Sequence, residues 1–231
     1  MTGVESLKSG LAGATVNADV KGKIIELEWY LMKNGYKPLT IKRYTHELEL
    51  LAKRGANILD PESVKETIAK QSLKDSRKLG ICHVYNTFLN VTGETWVMPR
   101  YKPVHKHPFV PTESTLNQII AGTGKKTSTY FQLLKETGMR SGEADNLKWI
   151  DIDPERSVVR VTPEKNSNPR TLKVSKEMIG RLMLLPKTSE RVFGDIGYNA
   201  KRTGWARTRK SLVKKLNNPQ IAQVTFHTLR H

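Results

Sequence analysis

Apolar residues recur along the first hundred positions at the three-and-four spacing of a helix face. Val20, Ile24, Leu27 and Leu31 form one stripe that Asp19 caps and Gly35 closes. Ile41, Tyr44, Leu48 and Leu51 repeat the pattern behind Thr40, a good cap, with Gly55 as the stop. Asp60 and Pro61 set a capping carboxylate and a first-turn proline ahead of Val64 and Ile68. A fourth helix over 73–91 turns Leu79, Cys82, Leu89 and one of Tyr85 or Phe88 inward. These elements predict a small helical bundle over residues 18–97. Residues 1–17, rich in Gly, Ser and Ala, have no such period and read as a loose tail.

Residues 98–110 carry Pro99, Pro103 and Pro108 among Arg100, Lys102 and Lys106, the composition of a stiff extended connection. A second domain, 111–231, then opens on a helix at Pro111-Thr112 with Leu116, Ile119 and Ile120 inward. Tyr130, Leu133 and Leu134 give a helical stripe that stops at Gly138, so Arg140 sits where the chain re-enters a helix, over GEADNLKW. Residues 151–153 read as a short strand. Val158 to Thr162 alternates as a strand, Pro163 to Pro169 is turn chemistry holding Lys165, and Arg170 to Val174 returns as the partner. Residues 176–185 read as a helix, 187–198 as a loop with an extended piece at Val192-Phe193, and 200–216 as a long basic helix with Trp205, Leu212, Val213 and Leu216 on its apolar side. The fold class is therefore mainly α with a small antiparallel β-sheet.

Charge changes the picture. The 231 residues hold 39 Lys and Arg against 22 acids, a net +17, which points to a polyanion such as double-stranded DNA. Lys42 and Arg43 beside Thr40 at the start of the second helix, and Lys74, Arg77 and Lys78 at the start of the fourth, suit phosphate contacts; so do Arg100 and Lys102 in the connection and Arg202 and Arg209 on the long helix. The alternative for each is a solvated charged face. A single cysteine, Cys82, excludes an internal disulfide and suits a reducing, cytoplasmic interior. No apolar run approaches a membrane span, and His105 and His107 lack the neighbours a metal site needs. No phosphate-binding glycine loop is present, and neither a metal nor a nucleotide cofactor is expected.

Three pieces, TGMRSGEADNLKW, the hairpin with PEKNSNPRTLK, and HTLRH, resemble in order and spacing the catalytic domain of the tyrosine recombinase (phage integrase) family, its archaeal integrases in particular. The resemblance implies an N-terminal helical core-binding domain that grips DNA and a catalytic site of Arg140, Lys165, His227 and Arg230. Two guanidinium forks suit the charge that builds on the nonbridging oxygens of an attacked phosphodiester. Lys165 suits protonation of the departing 5′ oxygen, and His227 a hydrogen bond to phosphate or the nucleophile's proton. Ordinary structural roles exist for each: Arg140 as a partner of Glu143 or Asp145, Lys165 as a hairpin-tip lysine, His227 and Arg230 as a capping pair.

In the family, helices after His-x-x-Arg bring a nucleophilic tyrosine, which forms a phosphotyrosine link and lets strands rejoin. This sequence ends at His231, and none of Tyr30, Tyr36, Tyr44, Tyr85, Tyr101, Tyr130 and Tyr198 stands in that position. The expectation is a site-specific recombinase cut short, monomeric in solution, binding DNA without cleaving it and leaving apolar surface uncovered in its second domain. Self-association is expected of a longer form on DNA. The alternative is a non-catalytic DNA-binding protein that competes for recombination sites.

Overall fold

The computed structural model of the protein describes residues 18–104, 107–163 and 167–230. His105, Lys165 and His231 lie outside the described residues, as does the side chain of Arg230. The chain folds as two compact units, Met1–Lys106 and His107–His231.

The first unit is built from α1 (Ala18–Lys33), α2 (Pro38–Lys53), α3 (Pro61–Lys70) and α4 (Asp75–Thr92). A 16-residue helix alone is marginal in water, but α1 contributes Leu27 and Leu31, both fully buried. At roughly 1.5–3 kcal/mol for each such side chain, burial is what holds it. Asp19 lies inside α1 rather than ahead of it. Thr40 is likewise no cap: α2 begins two residues earlier at Pro38, whose fixed φ suits the first turn, behind an extended Lys37. Asp60 does cap α3, accepting from the Glu62 N–H at 3.0 Å. Tyr85 and Phe88 are both interior, and the Tyr85 hydroxyl donates to the buried Ile58 carbonyl at 2.9 Å. Burial also pushes the Cys82 thiol up to about 11. The chain after α4 does not leave the bundle at once. Trp96, Met98 and Tyr101 pack on its core, with the Trp96 ring 4.8 Å from Tyr85 and its indole N–H donating to Asn86.

The second unit runs α5 (Glu113–Gly122), α6 (Lys125–Thr137), α7 (Ser141–Asp145), β1 (Ile152–Asp153), β2 (Val158–Val161), β3 (Arg170–Lys173), α8 (Lys176–Met183) and α9 (Tyr198–Leu216), with 3-10 turns at Trp149–Asp151, Pro219–Gln223 and Thr228–Arg230. The three strands form an antiparallel sheet in sequence order. Val161 pairs with Arg170 at the mouth of the hairpin, while Val159 and Val161 face the core and Arg160 faces out.

Two elements differ from the sequence pattern for local reasons. Asp151 coils instead of extending because its carboxylate accepts from the Lys148 N–H at 2.9 Å. The helix after Arg140 is five residues long because the chain beyond it is drawn into pairing. The Leu147 carbonyl accepts from Val192, the Trp149 N–H donates to Glu190, and the extended bridge forms between Lys148 and Arg191.

The cap on α3 carries a measurable share of the first unit's stability. Asp60→Ala is expected to destabilise that unit by about 1 kcal/mol and lower its melting temperature by about 4–8 °C, with the second unit unchanged. Calorimetry of the whole chain reads both transitions.

Candidate active site

Arg140 owes its position to the turn before it. Gly138 ends α6 at φ +60, where only glycine is unstrained, and its N–H returns to the Leu134 carbonyl at 2.9 Å. Met139 is then buried and Arg140 becomes the extended residue ahead of α7. The third residue of that helix, Glu143, reaches back to accept from the Arg140 backbone N–H at 2.8 Å.

The same carboxylate organises the guanidinium groups. Glu143 Oε1 accepts from Arg140 Nη1 at 3.0 Å and from Arg170 Nη1 at 3.1 Å, while Oε2 accepts from Arg170 Nη2 at 2.6 Å. The Glu143 side chain is 0% exposed, against 29% for Arg140 and 32% for Arg170. Burial alone would raise this carboxyl, but the hydrogen bonds from Arg170 and from Arg140 outweigh it and hold its pKa at about 2. Arg140 Nη1 also donates to the Ser167 hydroxyl at 2.9 Å, which ties the hairpin loop to the helix start. Both arginines, with Thr137, Gly138 and residues 167–169, line an open depression.

The segment before His227 is fixed from α9. Trp205 Nε1 and Arg209 Nη1 each donate to the Val224 carbonyl at 3.0 Å. Phe226 is buried, its ring 5.1 Å from Tyr130 and 5.4 Å from Phe131. Thr225 and Thr228 cap each other around the turn, the Thr225 N–H donating to the Thr228 hydroxyl at 2.9 Å and the Thr228 N–H to the Thr225 hydroxyl at 3.3 Å. His227 therefore projects, exposed, from a closed turn rather than from an α-helix. One tyrosine touches both segments: the Tyr130 hydroxyl donates to the Ser141 carbonyl at 2.8 Å while its ring packs on Phe226. Tyr198 is a second link, with its hydroxyl 3.4 Å from Ser141 Oγ and its ring 6.4 Å from Phe226. Tyr130 thus links the segment that carries Arg140 to the one that carries His227.

A model of the phage integrase family matches residues 112–231, more than half of the chain. The chain belongs to the phage integrase family. Among curated relatives, it is 25% identical over 221 residues to the tyrosine recombinase XerA of Thermococcus kodakarensis, which covers 90% of this chain and 78% of that protein. It is 26% identical over 227 residues to XerA of Pyrococcus horikoshii, covering 94% and 78%. In fold it resembles the Tn1549 transposon integrase solved with transposon right-end DNA, at a TM-score of 0.67 and 15% identity over 90% of this chain and 84% of that one. A lambda integrase dimer bound to a core site gives a TM-score of 0.63 at 14% identity, over 91% and 86%. These neighbours share the mainly helical architecture with its small antiparallel sheet.

Several cations singled out from the sequence of this integrase-family chain are already engaged. Arg77 pairs with the buried Glu47. Lys78 donates to the Ala69 carbonyl at 3.0 Å and lies 5.4 Å from the centre of the Tyr101 ring. Arg209 holds Val224. Lys42, Arg43, Lys74, Arg100, Lys102 and Arg202 are exposed, and Thr40 is half-buried. Sequence reasoning missed Arg170, which no local pattern marks. It missed as well the pairing of Lys201 on α9 with the buried Asp145 of α7. The Glu143 link to Arg140 was open to sequence as the cap-to-third-residue spacing. Among the described residues no cluster of His, Cys, Asp or Glu could hold a metal, and no helix is long and apolar enough to cross a membrane. An open groove of about 280 Å³ is lined by Tyr130, Phe193, Ile196, Trp205 and Phe226 together with Lys126 and Lys201.

The depressed Glu143 pKa makes a signed prediction. Its ion pairs contribute stability above pH 4.5, the ordinary value, and that contribution is lost as pH falls toward about 2. Glu143→Gln is expected to destabilise the second unit by about 2 kcal/mol at pH 7, and the gap between the two proteins should close on acidification from pH 4.5 to 2. Urea unfolding at stepped pH measures it.

Proposed function

We propose that this chain is the DNA-gripping and phosphate-activating part of a site-specific recombinase that breaks and rejoins duplex DNA through a phosphotyrosine intermediate. The observation that carries the reading is the state of Arg140. A buried carboxylate and a loop hydroxyl hold its Nη1, while the side chain stays 29% exposed over an open depression, with Nε and Nη2 making no hydrogen bond to a described residue. A guanidinium fixed at one nitrogen, with the others unbonded among the described residues, is preorganised for an oxyanion.

In this reading Arg140 and Arg230 clamp the scissile phosphate, Lys165 gives its proton to the 5′ oxygen as that bond breaks, and His227 hydrogen-bonds the phosphate or takes the proton of the attacking hydroxyl. Lys42, Arg43, Lys74, Arg100, Lys102 and Arg202, exposed around both units, meet the flanking backbone, with Thr40, Arg77, Lys78 and Arg209 beside them. DNA bound to the Tn1549 and lambda integrases supports the choice of partner. In this reading residues 1–231 hold DNA without cutting it, because Tyr130 commits its hydroxyl to the Ser141 carbonyl and Tyr198 sets its own against Ser141 Oγ.

Two measurements test this. Affinity for duplex DNA should fall with salt at a log–log slope of about −5, as six phosphate contacts require, and a flat response would remove DNA as the partner. On nicked duplex the chain should bind without forming a detergent-resistant adduct. An adduct that disappears in Tyr198→Phe would overturn the non-cleaving half of the proposal and make Tyr198 the nucleophile.

A further inference from the structure

Helix α1 carries two apolar stripes, and its own bundle uses one. Val20, Ile24, Leu27 and Leu31 face the core at 8% exposure or less. Ile25, Trp29 and Met32 form a second stripe at 63%, 60% and 55% exposure, and Tyr36 and Leu39 extend it into the start of α2 at 41% and 80%. Scattered exposed hydrophobics are ordinary, whereas so many large ones on one helix and its exit turn form a patch. At about 100° per residue, Lys21 and Glu28 flank the second stripe on one side and Gly22, Glu26 and Lys33 on the other. That is the layout of a helix-pairing seam with mixed-sign borders.

Charge selects the occupant. Asp19, Glu26 and Glu28 cancel Lys21, Lys23 and Lys33, so α1 is neutral in a chain of net +17. A neutral apolar face does not attract a polyanion, and it lets two copies of so cationic a chain approach. The border is also self-complementary. When two α1 helices cross antiparallel with Trp29 at the centre, Glu26 of each copy falls opposite Lys33 of the other, giving two equivalent ion pairs. The present Glu26 partner, Lys23 at 3.0 Å, is an exposed contact worth little, so exchanging it costs little.

We propose that the outer face of α1 is a self-association surface on which a second copy of this chain packs antiparallel about a two-fold axis at Trp29. One helix face buries less than the roughly 1,000 Å² of a stable interface, so the contact is weak in free solution and gains strength when two copies are held side by side.

No arm of the test contains DNA, so its outcome is independent of the function proposed above. Sedimentation at about 100 μM should show a dimer that Trp29→Glu abolishes without changing the melting curve of this exposed-site variant. Glu26→Lys and Lys33→Glu should each weaken dimerisation at least about threefold, and the double reversal should restore it. Under mild oxidation Trp29→Cys should link to itself, since an axial residue meets its own copy, while Glu66→Cys on α3 should not. A Trp29→Cys variant that links no faster than Glu66→Cys, or a double reversal as weak as the single changes, would overturn the proposal.

Discussion

A carboxylate with no solvent exposure sits between two guanidinium groups, and the order of the second unit's working end depends on it. Taking Glu143 out of water costs several kcal/mol, and a single partner does not reliably repay that. Here two arginines and a backbone N–H share the carboxylate, so its lone pairs are satisfied and its pKa falls to about 2 despite burial. Because Arg170 takes one hydrogen bond at each oxygen, Arg140 is held, among the described residues, through Nη1 alone of its side-chain nitrogens. A carboxylate facing Arg140 alone would take the two-pronged geometry for itself and turn the fork away from the depression. Arg170 thereby leaves the Arg140 side chain lining the depression.

The second constraint is apolar. Arg140 and His227 are far apart in sequence, and Tyr130 spans them with opposite ends of one side chain: its hydroxyl on the Ser141 carbonyl, its ring against Phe226. Phe131 and Trp205 complete the packing around Phe226, with ring centres 5.4 and 6.2 Å away. Aromatic rings set at such distances resist sliding, because both area and edge-to-face preference are lost together. The spacing between the two polar segments is therefore set by the interior rather than by the exposed groups themselves.

Sequence pattern reached as far as local rules reach. Gly138 announced its turn, and with it the place of Arg140, since left-handed backbone is a single-residue property. The hairpin was legible because Val159 and Val161 alternate with Arg160. The partners of the cations were not. Arg77 meets Glu47 across 30 positions, Arg170 meets Glu143 across 27, and Lys201 meets Asp145 across 56. An arginine's five donors are the same in every context, so nothing in the local sequence separates one bound to its own fold from one facing outward. Asp151 failed for another reason: its side chain caps backbone that reads from sequence as the first residue of a short strand.

α9 shows how the two kinds of arginine coexist on one element. Its sequence holds Lys201, Arg202, Arg207, Arg209, Lys210, Lys214 and Lys215 and no acid. Arg209 turns inward with Trp205 to the Val224 carbonyl, which fixes the stretch of chain leading to Phe226 and His227, and Lys201 reaches the buried Asp145 at the end of α7. Arg202, between them in sequence, stays exposed in the depression that Tyr198 and His227 also line. The cationic outer side of α9 therefore belongs to a helix whose inner side is bonded to the segments that carry Arg140 and His227. A shift of α9 would have to move Val224 and Asp145 with it, so the position of this helix and that of the segments carrying Arg140 and His227 are mechanically one property.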